Sequence, residues 1–137
     1  MSFPIVDGLR TLELGDPGPS RAFLNDCVLN GGKRATAGLL SEYLDENEPW
    51  EHVGEQLVLV DDELNVLGLI EVTRVEPTTF SEVTWAFAEA EGEGFTDLED
   101  WRKRHLEFWA RSGQIVSDET PVLCIYFDLL SAGKPVE

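Results

Sequence analysis

Positive charge is scarce in this chain: between Arg21 and Arg74 only the adjacent Lys33 and Arg34 carry it. An ammonium beside a guanidinium can hold a phosphate or a polarised carbonyl through charge-assisted hydrogen bonds, so this pair is the first candidate for meeting an anionic ligand. Glu89, Glu91 and Glu93 alternate further along. Such a run invites a metal, but Gly92 suits a left-handed helix end and Gly94 loosens the loop behind it, so a helix terminus accounts for the pattern better. No metal ligand is assigned, and Mg²⁺ would enter only with a phosphate substrate. Trp50 and Trp85 could stack on a base, although tryptophan more often packs core or rim. Arg102, Lys103 and Arg104 could form a basic patch, yet their acidic neighbours make a solvated helix face the simpler reading. His105 has the chemistry of a general base. Its place in a stripe with Leu98, Trp101, Phe108 and Trp109 points instead to a hydrogen-bonded core residue.

The molecule around these groups is strongly acidic. Ten Lys and Arg stand against 27 Asp and Glu in 137 residues, a net charge of −17, which repels polyanions and argues against duplex DNA as a partner. The same surface could instead dock a basic protein, a third reading beside binding and catalysis. A hydrophobic fraction of 42%, with four Trp and seven Phe, is enough for one globular domain over 1–137 without a structural metal or disulfide. Cys27 and Cys124 are too far apart in sequence for a metal motif and read as reduced core residues. The chain begins with no basic leader and contains no apolar stretch long enough for a bilayer, so a cytoplasmic protein without membrane contact is expected.

The elements that must position the candidates follow from punctuation and periodicity. Residues 1–19, with three prolines and three glycines, read as an irregular wrap around a core over about 20–131. Ser20 could cap a helix through Leu29 that Gly31 and Gly32 stop. Lys33 to Thr36 then starts or crosses a strand, and a second helical stretch follows over Ala37 to Leu44. Gln56–Val60 and Val66–Val75, joined by the turn-like Asp61–Asn65, read as a β-hairpin. Thr79 with Glu82, and Thr96 with Glu99, each resemble a capping box, the first opening a helix toward Ala90 and the second a helix lasting until Gly113. Val122–Leu130 is a strand and 132–137 a short polar tail. Several helices interrupting a handful of strands predict an α+β fold with a mixed, curled β-barrel surrounded by α-helices.

Gly31-Gly32-Lys33-Arg34-Ala35-Thr36 resembles the Gly-x-Lys-x-x-Thr-type signature of ASCH domains, on the rim of a PUA-like barrel. Glu91-Gly92-Glu93-Gly94, Trp101-Arg102 with His105 and Phe108, and Val122 to Phe127 follow in that family's order, and together they are most similar to a compact, single-domain bacterial branch. The resemblance implies an RNA- or nucleotide-binding pocket at the barrel-helix cleft, with single-stranded RNA, a nucleotide or a nucleoside as partner. It also implies an enzymatic alternative, an acetylcytidine-type amidohydrolase or a single-strand ribonuclease, in which Lys33, Thr36 and Glu91 would be catalytic. In that mechanism a partly dry lysine loses its proton and activates the threonine hydroxyl while the carboxylate handles proton transfer. As a binding module, Lys33, Arg34, Thr36 and Glu91 would contact the ligand, with Trp50 and Trp85 available for stacking; the plainest alternative is a structural Lys33–Glu91 ion pair with Thr36 as a strand hydroxyl. The branch typically carries Glu after the closing-strand cysteine, where this chain has Ile125.

Overall fold

The computed structural model describes residues 4–132. Its elements run β1 (Ile5–Val6), β2 (Leu9–Leu12), α1 (Pro19–Leu29), β3 (Ala35–Leu39), α2 (Leu40–Glu46), β4 (Gln56–Val60), β5 (Val66–Thr79), a 3₁₀ turn (Phe80–Glu82), α3 (Trp85–Ala90), α4 (Leu98–Arg111) and β6 (Pro121–Ala132). The fold is α+β. All six strands join one sheet in the order β1, β2, β4, β5, β6, β3, with β2 and β4 parallel and the remaining pairs antiparallel.

β6 shows why the sheet is buried on both sides. Leu123, Ile125 and Phe127 enter a cluster with Leu57, Leu59, Ile70 and Val72, closed by Val28 of α1 and Tyr43 of α2. Val122 and Cys124 point the other way, into a cluster with Phe87 of α3 and Trp101 and Trp109 of α4. Such two-sided burial turns the period-2 pattern of a strand into a continuous apolar run. Register shifts at Leu69/Ile70 and Val72/Arg74 bend β5 along β6 and curl the sheet.

The curl does not close into the expected barrel: β1 and β3 remain the two edges. β1 has only two residues and β3 five, too short to bridge the gap, and a cavity described below occupies it. The expected irregular wrap is partly a hairpin, because Asp7 and Gly8, with φ of 53° and 79°, form the two-residue turn that joins β1 to β2. Its strands cover Val58, Val60 and Val66.

Other boundaries move for local reasons. α1 starts at Pro19 behind Gly18, since proline at the first helical position needs no N–H partner, and Ser20 is not its cap. Ala37 to Leu39 belong to β3, paired with Cys124 to Val122, so the second helix begins only at Leu40. Thr79 does bond Glu82 but ends β5, and α3 is capped by Thr84, whose hydroxyl accepts from the Phe87 amide. Asp97, not Thr96, caps α4. β5 runs on to Thr79, and β6 includes Ala132, the first residue of the expected tail; 133–137 lie outside the described residues. Both cysteines are free and buried.

Candidate functional site

Lys33 and Glu91, 58 positions apart, are brought together by a backbone crossing. The Arg34 amide donates to the Ala90 carbonyl at 2.7 Å and the Lys33 amide to the Cys27 carbonyl at 2.9 Å, pinning the segment after α1 against the end of α3. Gly92, at φ +62°, sits so close to Gly32 that a β-carbon there would lie 2.0 Å from the Gly32 oxygen. The glycines that punctuate both motifs therefore permit this crossing.

Only 2% of Lys33 is exposed, and its ammonium donates to the Ala35 carbonyl at 2.7 Å, to Glu91 Oε2 at 3.1 Å and to Glu93 Oε2 at 2.7 Å. Three acceptors use its three N–H bonds. Burial alone would make the lysine release its proton more easily, but the Glu91 and Glu93 carboxylates outweigh it and hold Lys33 above the ordinary lysine range. This direction favours an ammonium at Lys33 over the proton-poor lysine that the enzymatic alternative invokes. Glu91 is equally enclosed, at 1% exposure. Trp101 Nε1 donates to its Oε1 at 2.7 Å and His105 Nε2 lies 3.4 Å from the same oxygen. Burial pushes Glu91 up, yet Lys33 and His105 together pull it well below the usual carboxylate range. Glu93 responds oppositely, because burial and the neighbouring Glu91 raise it despite Lys33.

His105 is the hydrogen-bonded member of the aromatic stripe that its spacing implies. Its ring stacks on Trp101 at 4.1 Å, and Nδ1, which must carry hydrogen because a carbonyl only accepts, donates to the Trp101 oxygen at 2.9 Å, while Nε2 faces Glu91.

These groups form one end of a cavity of about 520 Å³, the size of a small-ligand pocket. It lies in the gap of the sheet, between the segment Thr11 to Gly15 on one side and Thr36 to Gly38 of β3 on the other. Arg21, whose Nε and Nη2 donate to the Leu14 and Gly15 carbonyls, holds the first wall against α1. Lys33, Thr36 and Glu91 all line the cavity; Arg34, Trp50 and Trp85 do not. Arg34 faces outward beside Asp128, and both tryptophans lie on the exposed surface. The Thr36 hydroxyl has no hydrogen-bond partner among the described residues and pairs across the sheet with Ile125, which also lines the cavity. A carboxylate at 125 would stand beside that hydroxyl; here the position is apolar. Residue spacing could not reveal Glu93, Phe95 and Phe108 as cavity residues, nor the Tyr43 hydroxyl that donates to Glu51 at the opposite end.

Among the described residues no cluster of His, Cys, Asp and Glu is arranged to hold a metal ion. Where the alternating glutamates converge, the Lys33 ammonium already stands between two of them. Likewise, no helix among the described residues is long and apolar enough to cross a membrane.

Two outcomes test this electrostatic account. Trp101→Phe removes one of the buried donors to Glu91 and should cost about 2 kcal/mol in urea unfolding; a cost near zero would mean that the carboxylate does not need the indole. For Glu93, a raised folded value means that its contribution to stability is present below the unfolded carboxylate value of about 4.3 and is lost as pH rises through the folded value. Wild-type stability minus that of Glu93→Gln should therefore fall as pH rises above about 4.3. A difference that grew with pH would reverse the assignment. Glu91, depressed instead, contributes above the unfolded value and loses its contribution only in strong acid.

Residues 13–131 match a family model described as ASCH domain. None of the curated proteins matches the chain. Among solved structures, the chain is similar to a protein from Enterococcus faecalis V583 at 26% identity and a TM-score of 0.78, covering 88% of this chain and 75% of that one. It is similar to an ASCH domain from Lactobacillus crispatus at 24% identity and a TM-score of 0.79, covering 88% and 79%. A Zymomonas mobilis ASCH mutant protein, at 7% identity and a TM-score of 0.55 over 83% and 68%, shares the fold alone.

Proposed function

The chain belongs to the ASCH domain family, and from that premise we propose that its cavity binds the base of a nucleoside or of an unpaired ribonucleotide. One observation carries the reading: a fully partnered Lys33–Glu91 pair holds Glu93 at the cavity, while the Thr36 hydroxyl, which lines the same cavity, has no partner among the described residues. Glu91 has both oxygens engaged, so the contact with a base amino group passes to Glu93. With Oε2 taken by Lys33, Glu93 keeps Oε1 to accept from the exocyclic amino group of cytosine or adenine. Phe95 and Phe108 supply apolar wall for the ring. The −17 charge restricts binding to a short segment of RNA and keeps long strands weak.

Calorimetric titration with the four ribonucleosides tests this. Cytidine or adenosine should bind, and Thr36→Val and Glu93→Gln should each weaken that binding roughly tenfold while leaving the fold intact. If no nucleoside and no short single strand binds, the reading is wrong.

A second reading, hydrolysis of an acylated base amine, draws support from the same hydroxyl in a cavity whose Glu93 carboxyl has a raised affinity for its proton. Turnover of acetylcytidine that Thr36→Ala abolishes would establish it. Inert acetylcytidine with intact nucleoside binding would leave a binding module.

A further inference from the structure

The proposed base site leaves the mouth of the cavity unexplained. Arg104 and Arg111 both line it, seven residues apart on α4 and therefore two turns along the same face, about 10 Å apart. His105 and Phe108 lie between them on that face and line the cavity too.

The nitrogens of these arginines are used differently from those of the structural ones. Arg10 places Nε, Nη1 and Nη2 on Glu55, Pro49 and Trp50 acceptors, and Arg21 places all three on Leu14, Asp62 and Gly15. Arg104 bonds Asp100 through Nε alone, at 3.1 Å, and Arg111 bonds Asp16 through Nε alone, at 3.0 Å. Among the described residues their Nη groups have no hydrogen-bond partner, and the side chains are 50% and 57% exposed. Each guanidinium also rests on an aromatic ring of the cavity wall: Arg104 lies 5.2 Å from the centre of Phe95 and Arg111 5.6 Å from that of Phe108. A ring beneath and a carboxylate behind fix a long side chain before any ligand arrives, which reduces the ordering cost of binding and aims the free edge outward. A planar fork with both Nη groups free is suited to two oxygens of one phosphate.

We infer that Arg104 and Arg111 are phosphate-binding residues at the cavity mouth, so that the preferred ligand is phosphorylated, either a nucleoside monophosphate or one residue of a short single strand, and a free nucleoside binds more weakly. This rests on the base site proposed above and adds the phosphate to it. It also moves the anion contact from Lys33 and Arg34, where the sequence pointed, to a different element. Asp16 and Asp100 offset both charges, so inorganic phosphate alone binds weakly and the base must supply the rest.

The test compares each ribonucleoside with its 5′- and 3′-monophosphates and with a single-stranded trinucleotide, on the wild type and on Arg104→Gln/Arg111→Gln. The wild type should bind a phosphorylated form at least roughly tenfold more tightly than the nucleoside. The double variant should lose that advantage, bind the nucleoside within about twofold of the wild type, and melt as the wild type does. For the trinucleotide, the slope of log K against log salt should fall from about −1.4 toward zero if both arginines contact phosphate. The 5′, 3′ and trinucleotide arms separate a terminal phosphate from a backbone one. Equal binding of nucleoside and nucleotide by the wild type, or a phosphate advantage that survives in the double variant, overturns this inference while sparing the base site. Absence of any binding overturns both.

Discussion

Lys33→Met should lower the unfolding free energy by about 3–5 kcal/mol, the range expected when one partner of a buried ion pair is removed. Methionine keeps the length and apolar stem of the side chain but leaves Glu91, 1% exposed, without its nearest full charge. Glu93 would then face Glu91 with no cation between them. Of a typical stability of 5–15 kcal/mol this is a large share, and the base site should be lost with it, since Glu93 has no anchor. Glu91→Gln should cost less, because Lys33 retains Glu93 and the Ala35 carbonyl. Adding Glu91→Gln to Lys33→Met should restore part of the loss by removing the stranded charge. Urea unfolding of the three variants checks the order, and a Lys33→Met cost below about 1 kcal/mol would show that the ammonium is not what holds the site.

Gly92→Ala should be nearly as severe, at about 2–4 kcal/mol, combining a positive φ with overpacking. The added carbon would meet the Gly32 oxygen at 2.0 Å, the Gly32 carbon at 2.3 Å and the Lys33 nitrogen at 2.7 Å, all backbone atoms that no rotamer change can clear. Relief requires the two segments to part, which separates Lys33 from Glu91, so nucleoside affinity should fall even where the variant remains folded. Gly94→Ala is the control. Its φ is +85° but open space surrounds it, and it should cost only about 1 kcal/mol without affecting binding. Equal costs at 92 and 94 would place the penalty in backbone conformation and not in the crossing.

What could be read from the sequence was whatever local chemistry specifies. Gln56–Val60 and Val66–Val75 announced the β4–β5 hairpin because β-branched runs flank Asp61–Asn65, where the Asp61 carboxylate accepts from the Glu63 and Asn65 amides. Asp7-Gly8 was an equally good turn signal, obscured by strands of two and four residues among prolines and glycines. The parallel pairing of β2 with β4 left no trace, since register between distant strands is set by the finished sheet. At the site, the pairing of Lys33 with Glu91 came from family resemblance, because their spacing says nothing of contact. Trp101 and His105 were assigned to an apolar stripe, and they belong to it; helical periodicity could not show that the indole N–H and the imidazole edge of that stripe end on a carboxylate. Glu93 and Glu91 look alike in sequence and differ only in burial and in who their neighbours are.

β2 reaches β4 only after α1, β3 and α2 have intervened, whereas β4 and β5 are joined by a tight turn. The β2–β4 ladder is also short, with Thr11 opposite Val58 and Leu12 opposite Leu59, while β3 and β6 pair over five positions, so the N-terminal ribbon is expected to release first in native fluctuations. Since that ribbon supplies one wall of the cavity, the binding proposed above predicts entry of the ligand during its brief departure, while β4, β5, β6 and β3 stay zipped. Exchange of the amide protons that join β2 to β4, around Thr11–Leu12 and Val58–Leu59, and exchange of bound ligand are then expected to run on a single clock.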